Sequence, residues 1–156
     1  MIKRKDFYFK KAKREGYLAR SSYKLIELNR KYDLIRRNND VLDIGCSPGS
    51  WVQVCLKLNA RRVVGIDIEM AKIKNEKFEF LNEDVSLVDI GKLGKFDVVL
   101  SDISPKTKGF FDAEESVDLS RKAWEIAKKV LKLRGNFLCK VFQGAEFDDF
   151  AREIRK

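Results

Sequence analysis

Histidine is absent from the 156-residue sequence. Its absence excludes a serine–histidine–aspartate triad, a histidine-ligated metal site and the usual proton carrier near neutral pH. A catalytic proton transfer must therefore use a lysine, aspartate, glutamate, tyrosine or cysteine side chain.

Cysteine is scarce, and the three cysteines lack the spacing of a metal site. Cys46, Cys55 and Cys139 each lie in an apolar stretch, and their number is odd. We expect free, buried thiols in a reducing compartment, with no role as metal ligands or nucleophiles.

Long apolar runs are also missing. No run approaches the ~20 residues that a membrane helix needs, and no signal peptide precedes the chain. We therefore expect a cytoplasmic protein without a membrane partner. The length fits one domain over residues 1–156 with a core of its own.

Positive charge is in excess, with 33 lysines and arginines against 24 acidic residues and a net charge of +9. Such an excess favours a polyanionic partner, nucleic acid above all, although a highly charged, solvated surface of the thermophile kind is the alternative. The excess is concentrated in a segment at about residues 1–18, which we predict to be a basic arm or a loosely packed helix. Its cations alternate with aromatics, a mixture that suits a phosphate backbone and stacked bases; they are Lys3, Arg4, Lys5, Lys10, Lys11, Lys13 and Arg14, with Phe7, Tyr8, Phe9 and Tyr17.

Apolar segments that predict strands alternate with amphipathic segments that predict helices. The predicted strands are 41–44, 62–67, 78–81, 96–102 and 136–142. Helices are predicted from Ser21, over 51–58, over about 113–133 with Gly135 as the stop signal, and from near Phe147. This alternation predicts an α/β fold, a parallel sheet with helices on both faces.

Acidic residues lie at or near the ends of four predicted strands, namely Asp43, Asp67, Asp84 and Asp102. Ligands of open α/β folds bind at these carboxyl ends. The loop from Gly45 to Gly49 matches neither a dinucleotide-binding nor a phosphate-binding glycine pattern, which favours a nucleoside ligand without phosphates. A crevice rich in carboxylates also suits a sulfonium cation. The alternative is that Gly49 is only a turn glycine and that the acids are helix caps.

Four sequence blocks closely resemble the FtsJ/RrmJ family of ribose 2′-O-methyltransferases, and they occur in the family's order. The sharpest is the Pro-Gly-x-Trp element within residues 41–51; the others are residues 19–25, 100–105 and 140–144. The resemblance implies a Rossmann-like methyltransferase sheet of seven strands and S-adenosylmethionine as the methyl donor. It also implies the cofactor-contact positions, which are Gly49, Trp51, Asp67, Asp84 and Asp102.

The family's catalytic set is Lys-Asp-Lys-Glu, and the resemblance places its first three members at Lys24, Asp102 and Lys140. A ribose hydroxyl is a weak nucleophile that must lose its proton as it attacks. Lys140 can take that proton only as a neutral amine, which Lys24 and desolvation favour and Asp102 opposes. Two roles therefore stay open for Lys140, that of general base and that of a cation stabilising the developing alkoxide.

One departure from the family concerns its fourth member, a glutamate on a strand beyond the last helix. The sequence ends before such a strand, and Glu146 and Glu153 lie too early to take the role. The last two strands of the sheet are accordingly expected to be missing, which would leave residues 137–142 as an exposed apolar edge. We expect a truncated form and a weaker catalyst than a complete member.

The expected substrate is RNA. The absence of an added recognition domain favours ribosomal RNA within the large ribosomal subunit, with transfer RNA as the alternative. A non-catalytic RNA-binding module that keeps the cofactor pocket is the alternative from another class, while an oxidoreductase is disfavoured by the glycine pattern. We expect a monomer without a bound metal.

Overall fold

The computed structural model describes residues 2–105 and 112–155. Its strands are β1 Asp40–Ile44, β2 Arg62–Ile66, β3 Phe78–Leu81, β4 Phe96–Ser101 and β5 Leu131–Cys139. Its helices are α1 Ile2–Glu15, α2 Ser22–Tyr32, α3 Ser50–Lys57, α4 Ile90–Leu93, α5 Asp112–Val130 and α6 Phe147–Ile154. The strands form one sheet in the order β3-β2-β1-β4-β5, and every neighbouring pair is parallel. The predicted α/β fold is confirmed, with five strands in the described part of the chain.

The sheet is covered on both faces because successive side chains of its strands point to opposite sides. The side chains that pack against α2 and α3 are Val41, Val63, Val98 and Leu100. Those that pack against α4 and α5 are Leu42, Ile44, Val64, Ile66 and Val99. The helices thus bury one apolar face each, and none in the described part of the chain is long and apolar enough to cross a membrane.

The basic segment at the start of the chain is a helix, α1, and not an extended arm. Ala12 is its buried residue among the side chains that the structure describes from Asp6 onward. The Tyr8 ring lies 5.6 Å from the Tyr23 ring of α2, and Glu15 accepts a 2.7 Å hydrogen bond from the Tyr23 hydroxyl. The side chains of Lys3, Arg4 and Lys5 lie outside the described part of the chain.

The boundary between α5 and β5 corrects a prediction. The helix ends at Val130 and not near residue 133, because Leu131 already pairs with Phe96 of β4. Gly135 therefore lies inside the strand and is not the helix stop. A Cβ atom at Gly135 would lie 3.0 Å from the carbonyl oxygen of Asp97, so the close approach of two backbones explains the glycine.

Strand β5 forms one edge of the described sheet, as predicted, but it ends at Cys139 and not at residue 142, because Cys139 is its last residue paired with β4. Its apolar side chains are largely half-buried and not exposed. The Phe137 ring packs against Trp124 of α5 with the ring centroids 5.1 Å apart. Leu133 is the exception, with 94% of its surface exposed. Helix α5 thus covers one face of this edge.

Candidate functional site

A crevice opens at the carboxyl ends of β1, β2, β3 and β4. Its lining comes from the loops after these strands and from one turn of α5: Gly45, Ser47, Ile66, Asp67, Ile68, Glu69, Glu83, Asp84, Val85, Asp102, Ile103, Ser104, Pro105, Glu115 and Leu119. Three of the acids that the sequence places at strand ends, Asp67, Asp84 and Asp102, therefore share one cavity. Parallel strands bring their carboxyl ends to the same edge of the sheet, which is why residues distant in sequence meet there.

The crevice is strongly acidic in a protein that is basic overall. Six of its lining residues are aspartates or glutamates, and no lysine or arginine lines it within the described ranges. The chain as a whole carries a net charge of +9. This segregation of charge favours a cationic small ligand in the crevice and an anionic partner elsewhere on the surface.

The loop after β1 is held tightly between β2 and the segment after β4. Gly45 donates its N–H to the carbonyl of Ile66 at 2.8 Å and has a φ of 78°. A Cβ atom on Gly45 would lie 2.7 Å from the Cα atom of Ile103, so a side chain does not fit. The loop therefore brings its backbone, and no bulky side chain, to the wall of the crevice.

Asp67 and Asp84 organise the loops that carry them. One carboxylate oxygen of Asp67 accepts the N–H of Ser47 at 2.9 Å, and the other accepts the N–H of Glu69 at 2.9 Å. Asp84 is exposed and accepts the N–H of Ser86 at 2.8 Å, a hydrogen bond that lowers the pKa of Asp84. Carboxylate oxygens have further lone pairs, so both residues can still accept hydrogen bonds from a ligand.

Lys140 contacts two residues that line the crevice, Asp102 and Ser104, although it is not itself a lining residue. Cys139 pairs with Ser101 across β5 and β4, so the next residue of each strand emerges at the same level. The ammonium of Lys140 forms an ion pair with the Asp102 carboxylate and donates a 3.1 Å hydrogen bond to the Ser104 hydroxyl. Burial raises the pKa of Asp102 more than Lys140 lowers it, so the net shift is upward.

Asp43 lies below the crevice in β1 and is fully buried. Neither of its carboxylate oxygens has a hydrogen-bond partner among the described residues. Desolvation, followed by the charges of Asp102 and Asp67, raises the pKa of Asp43 well above its usual range. The buried acid therefore strengthens the negative potential of the site only when it is ionised, at the cost of a desolvated charge.

Of the other predicted site residues, none of Lys24, Gly49 and Trp51 lines the crevice within the described part of the chain. Lys24 is exposed in the first turn of α2. Gly49 is the N-cap of α3, packed against Ile73. The Trp51 side chain is buried, and its indole N–H donates to the carbonyl of Ser21 at 3.0 Å. Their assigned roles stay predictions.

Several lining residues escaped the sequence analysis. Glu83 precedes the predicted Asp84 directly, and Ser104 lies two residues after the predicted Asp102, so their nearness in sequence was a usable signal. Glu115 and Leu119 come from α5, and no sequence pattern distinguished them from other residues of an amphipathic helix. Only the packing of α5 against the sheet brings them to the crevice.

The thiols are free, as predicted. Cys46 and Cys55 are buried, whereas Cys139 is half-buried. Burial raises the pKa of Cys139 to about 11 and raises the pKa of the other two thiols further, so all three disfavour the thiolate form. Among the described residues, no group of three or more acids or cysteines has the arrangement of a metal site.

The sequence is similar to those of known methyltransferases. A model of the FtsJ-like methyltransferase family matches residues 17–156. A relative from Archaeoglobus fulgidus, named ribosomal RNA large subunit methyltransferase E, is 44% identical over 162 residues, covering 99% of this chain and 84% of the relative. A relative of the same name from Methanothrix thermoacetophila is 42% identical over 159 residues, covering 97% of this chain. The chain spans 62% of the length of that second relative.

Comparison with solved structures agrees. A crystal structure of a protein from Plasmodium falciparum, described as a ribosomal RNA methyltransferase, superposes with a TM-score of 0.78 and 25% sequence identity. The match covers 89% of this chain and 86% of that one.

Proposed function

The chain belongs to the FtsJ-like methyltransferase family, and from this premise we propose that it methylates a ribose 2′-hydroxyl of RNA with S-adenosylmethionine. The family implies a methyl donor of the S-adenosylmethionine type. The observation that carries the proposal is the ion pair of Lys140 with Asp102, an aspartate that lines an acidic crevice. The lysine held by Asp102 is thus available to a reacting oxygen beside the crevice, while the crevice offers acceptors to a cofactor.

The described residues fit this cofactor. S-adenosylmethionine carries a sulfonium and an ammonium group, and the six acidic residues of the crevice complement these charges. Asp67 and Asp84 follow β2 and β3, where they can accept hydrogen bonds from the ribose hydroxyls and the adenine amino group. When bound, the cofactor supplies an electrophilic methyl group.

The protein's part in the chemistry is to hold the ribose oxygen in line with that methyl group and to manage one proton. Lys140 accepts the hydroxyl proton as a neutral amine, or it stays protonated and stabilises the developing alkoxide. Asp102 orients the lysine through the ion pair, and Ser104 accepts a second hydrogen bond from the same ammonium group. Lys24 adds positive charge from α2.

We propose large-subunit ribosomal RNA as the substrate, since both relatives compared above carry that substrate in their names. Helix α1 supports an RNA partner because its exposed side chains include Lys10, Lys13 and Arg14. These cations can neutralise phosphates without reading base sequence, so the affinity should depend on salt.

A methyl-transfer assay with a tritiated donor tests the proposal. Large ribosomal subunits, free ribosomal RNA and transfer RNA are supplied in parallel, and the labelled nucleotide is then analysed for base or 2′-O methylation. We expect label on a ribose 2′-oxygen of large-subunit RNA. Label on transfer RNA would reassign the substrate, and cofactor binding without transfer to any RNA would favour a non-catalytic RNA-binding module.

A further inference from the structure

The segment between α1 and α2, residues 16–21, is held to the first turn of α3 by a side-chain amide. We call this segment the α1–α2 linker. The Gln53 side chain donates to the carbonyl of Gly16 at 2.9 Å and accepts the N–H of Leu18 at 2.9 Å. Both polar atoms of one half-buried amide are therefore committed to the linker backbone.

A second pair of contacts holds the end of the linker. The buried indole of Trp51 donates to the carbonyl of Ser21 at 3.0 Å, and the hydroxyls of Ser21 and Ser50 lie 2.8 Å apart. All the α3 residues in these contacts belong to its first four positions, Ser50–Gln53. One helical turn thus holds the linker at both ends.

The contact joins α3, which follows the loop of Gly45, to the α1–α2 linker, which precedes Lys24. Helix α3 starts directly after the loop of Gly45, with Gly49 as its N-cap. On the other side, the Ser21 carbonyl that accepts the Trp51 indole also accepts the backbone N–H of Lys24 at 3.1 Å. A single carbonyl group therefore connects the first turn of α3 to the first turn of α2, where Lys24 lies.

Apolar packing secures the linker only in part. Tyr17 packs against the core, with the Lys57 ammonium 4.0 Å from the centre of its ring. Leu18 is 38% exposed. The placement of the linker, which joins α1 to the start of α2, therefore depends on the hydrogen bonds from Ser50, Trp51 and Gln53 as well as on the burial of Ala12 and Leu25.

We propose that Gln53, together with Ser50 and Trp51, positions Lys24 and the basic helix α1 for the methyl-transfer reaction. The first turn of α3 transmits the geometry of the cofactor loop to the surface that receives RNA, so the two substrates are aligned through these side chains. The inference rests on the proposed function. Gln53 contacts neither the crevice nor a reacting atom, and its effect is exerted through Lys24 and α1.

The test replaces Gln53 by methionine, which keeps the side-chain volume and removes both hydrogen bonds. Asn29 offers a matched control, since its amide also bridges a backbone, accepting from the Ile35 N–H at 2.7 Å and donating to the Ile35 carbonyl at 3.3 Å. That contact holds the loop between α2 and β1, away from the crevice. The control variant is Asn29→Leu.

Both variants should lose a similar amount of thermal stability, because each loses one accepted and one donated side-chain hydrogen bond. Both should keep cofactor affinity within about twofold of the unmodified protein, because neither residue lines the crevice. Only Gln53→Met should lower kcat for RNA methylation, by at least ~10-fold, since small misplacements of a reacting group are costly. An unchanged kcat in Gln53→Met, or an equal loss in both variants, would overturn the inference.

Amide hydrogen exchange in the absence of RNA separates this inference from the proposed function. Faster exchange at Leu18 and Lys24 in Gln53→Met, and not in Asn29→Leu, supports the positioning role even if no RNA substrate is found. Unchanged exchange at both amides overturns it. A lack of methyl transfer by the unmodified protein bears on the proposed function alone.

Discussion

The ammonium of Lys140 and the carboxylate of Asp102 form an ion pair because the two residues leave neighbouring parallel strands at the same level. A backbone hydrogen bond also joins the two segments, since the Lys140 N–H donates to the carbonyl of Ser101 at 2.9 Å. The lysine side chain is 46% exposed and can reach a ligand, whereas the aspartate side chain is 21% exposed. The carboxylate is therefore the fixed partner of the two.

Substitutions of Lys140 should separate its two possible roles. Lys140→Met should reduce methyl transfer by ~10²–10⁴-fold if the lysine acts as a general base, while cofactor affinity stays nearly unchanged. Lys140→Arg keeps a positive charge but cannot act as a base near neutral pH. If Lys140 is a general base, we expect an inactive Lys140→Arg protein and a methyl-transfer rate of the unmodified protein that rises with pH. If Lys140 is a cation that stabilises the alkoxide, we expect residual activity in Lys140→Arg.

The measurement is single-turnover methyl transfer over a range of pH, with cofactor affinity determined by calorimetry. Unaltered transfer in Lys140→Met would exclude both roles.

Asp43 should make the stability of the protein depend on pH. Its pKa is raised by desolvation and by the charges of Asp102 and Asp67, so the folded protein holds this proton more tightly than the unfolded chain. The resulting stabilisation is complete below the unfolded value of ~3.9 and is lost as pH rises through the folded-state pKa. Asp43→Asn removes the titrating group, so its melting temperature relative to the unmodified protein should increase with pH. Thermal unfolding without cofactor measures this difference, and a difference independent of pH would contradict the prediction.

Gly45 should not tolerate alanine. The new Cβ would lie 2.7 Å from the Ile103 Cα, and the backbone φ of 78° disfavours any side chain. We expect Gly45→Ala to destabilise the protein by roughly 2–4 kcal/mol and to weaken cofactor binding. Gly16→Ala is the control, since its φ of 77° is almost the same but no atom lies within 4 Å of the added Cβ. Chemical unfolding of both variants compares them, and equal losses would mean that backbone strain alone accounts for the effect.

Helix α1 should provide part of the RNA-binding surface. Phe7, Lys10 and Arg14 are spaced to share one face of the helix, while Tyr8 packs inward on Tyr23. Replacing Lys10 and Arg14 by glutamine should lower RNA affinity and reduce the slope of log affinity against log salt by about 1 for each cation removed.

Phe7, the aromatic residue on the same face of α1, should affect RNA binding through stacking and not through charge. Phe7→Ala should weaken RNA binding by ~1–3 kcal/mol through lost stacking and leave the salt slope unchanged. Tyr32 is a matched control, since Phe7 and Tyr32 are each 57% exposed and the Lys31 ammonium lies 5.0 Å from the Tyr32 ring centre. Fluorescence anisotropy with labelled RNA at several salt concentrations measures both effects. An equal loss in Tyr32→Ala would argue against a specific role for Phe7.

Local sequence patterns predicted the first four strands to within one residue at each end. Buried runs such as 96–101 are apolar, short and bounded by polar residues, so their character is visible without knowledge of neighbouring strands. The boundary between α5 and β5 was predicted wrongly because residues 131–133 continue the helical apolar pattern. Pairing of Leu131 with Phe96 of β4 ends the helix instead, and a pairing with a distant strand is not encoded locally.

The sequence by itself determined the fold class, the excess of positive charge at the start of the chain and the acids at the ends of the strands. It also carried the four blocks from which the family was identified. These properties depend on residue type and spacing along the chain, which is why they could be inferred without coordinates.

Only the tertiary structure decided which of these residues meet. Asp67, Asp84 and Asp102 line one crevice, whereas Asp43 is buried beneath it. Lys140 meets Asp102 through the register of β4 and β5, and Gln53 holds the linker across 35 or more positions of sequence. The physical reason is that burial and hydrogen bonding between distant segments depend on how strands and helices pack, and that packing is set by the whole core and not by any one segment.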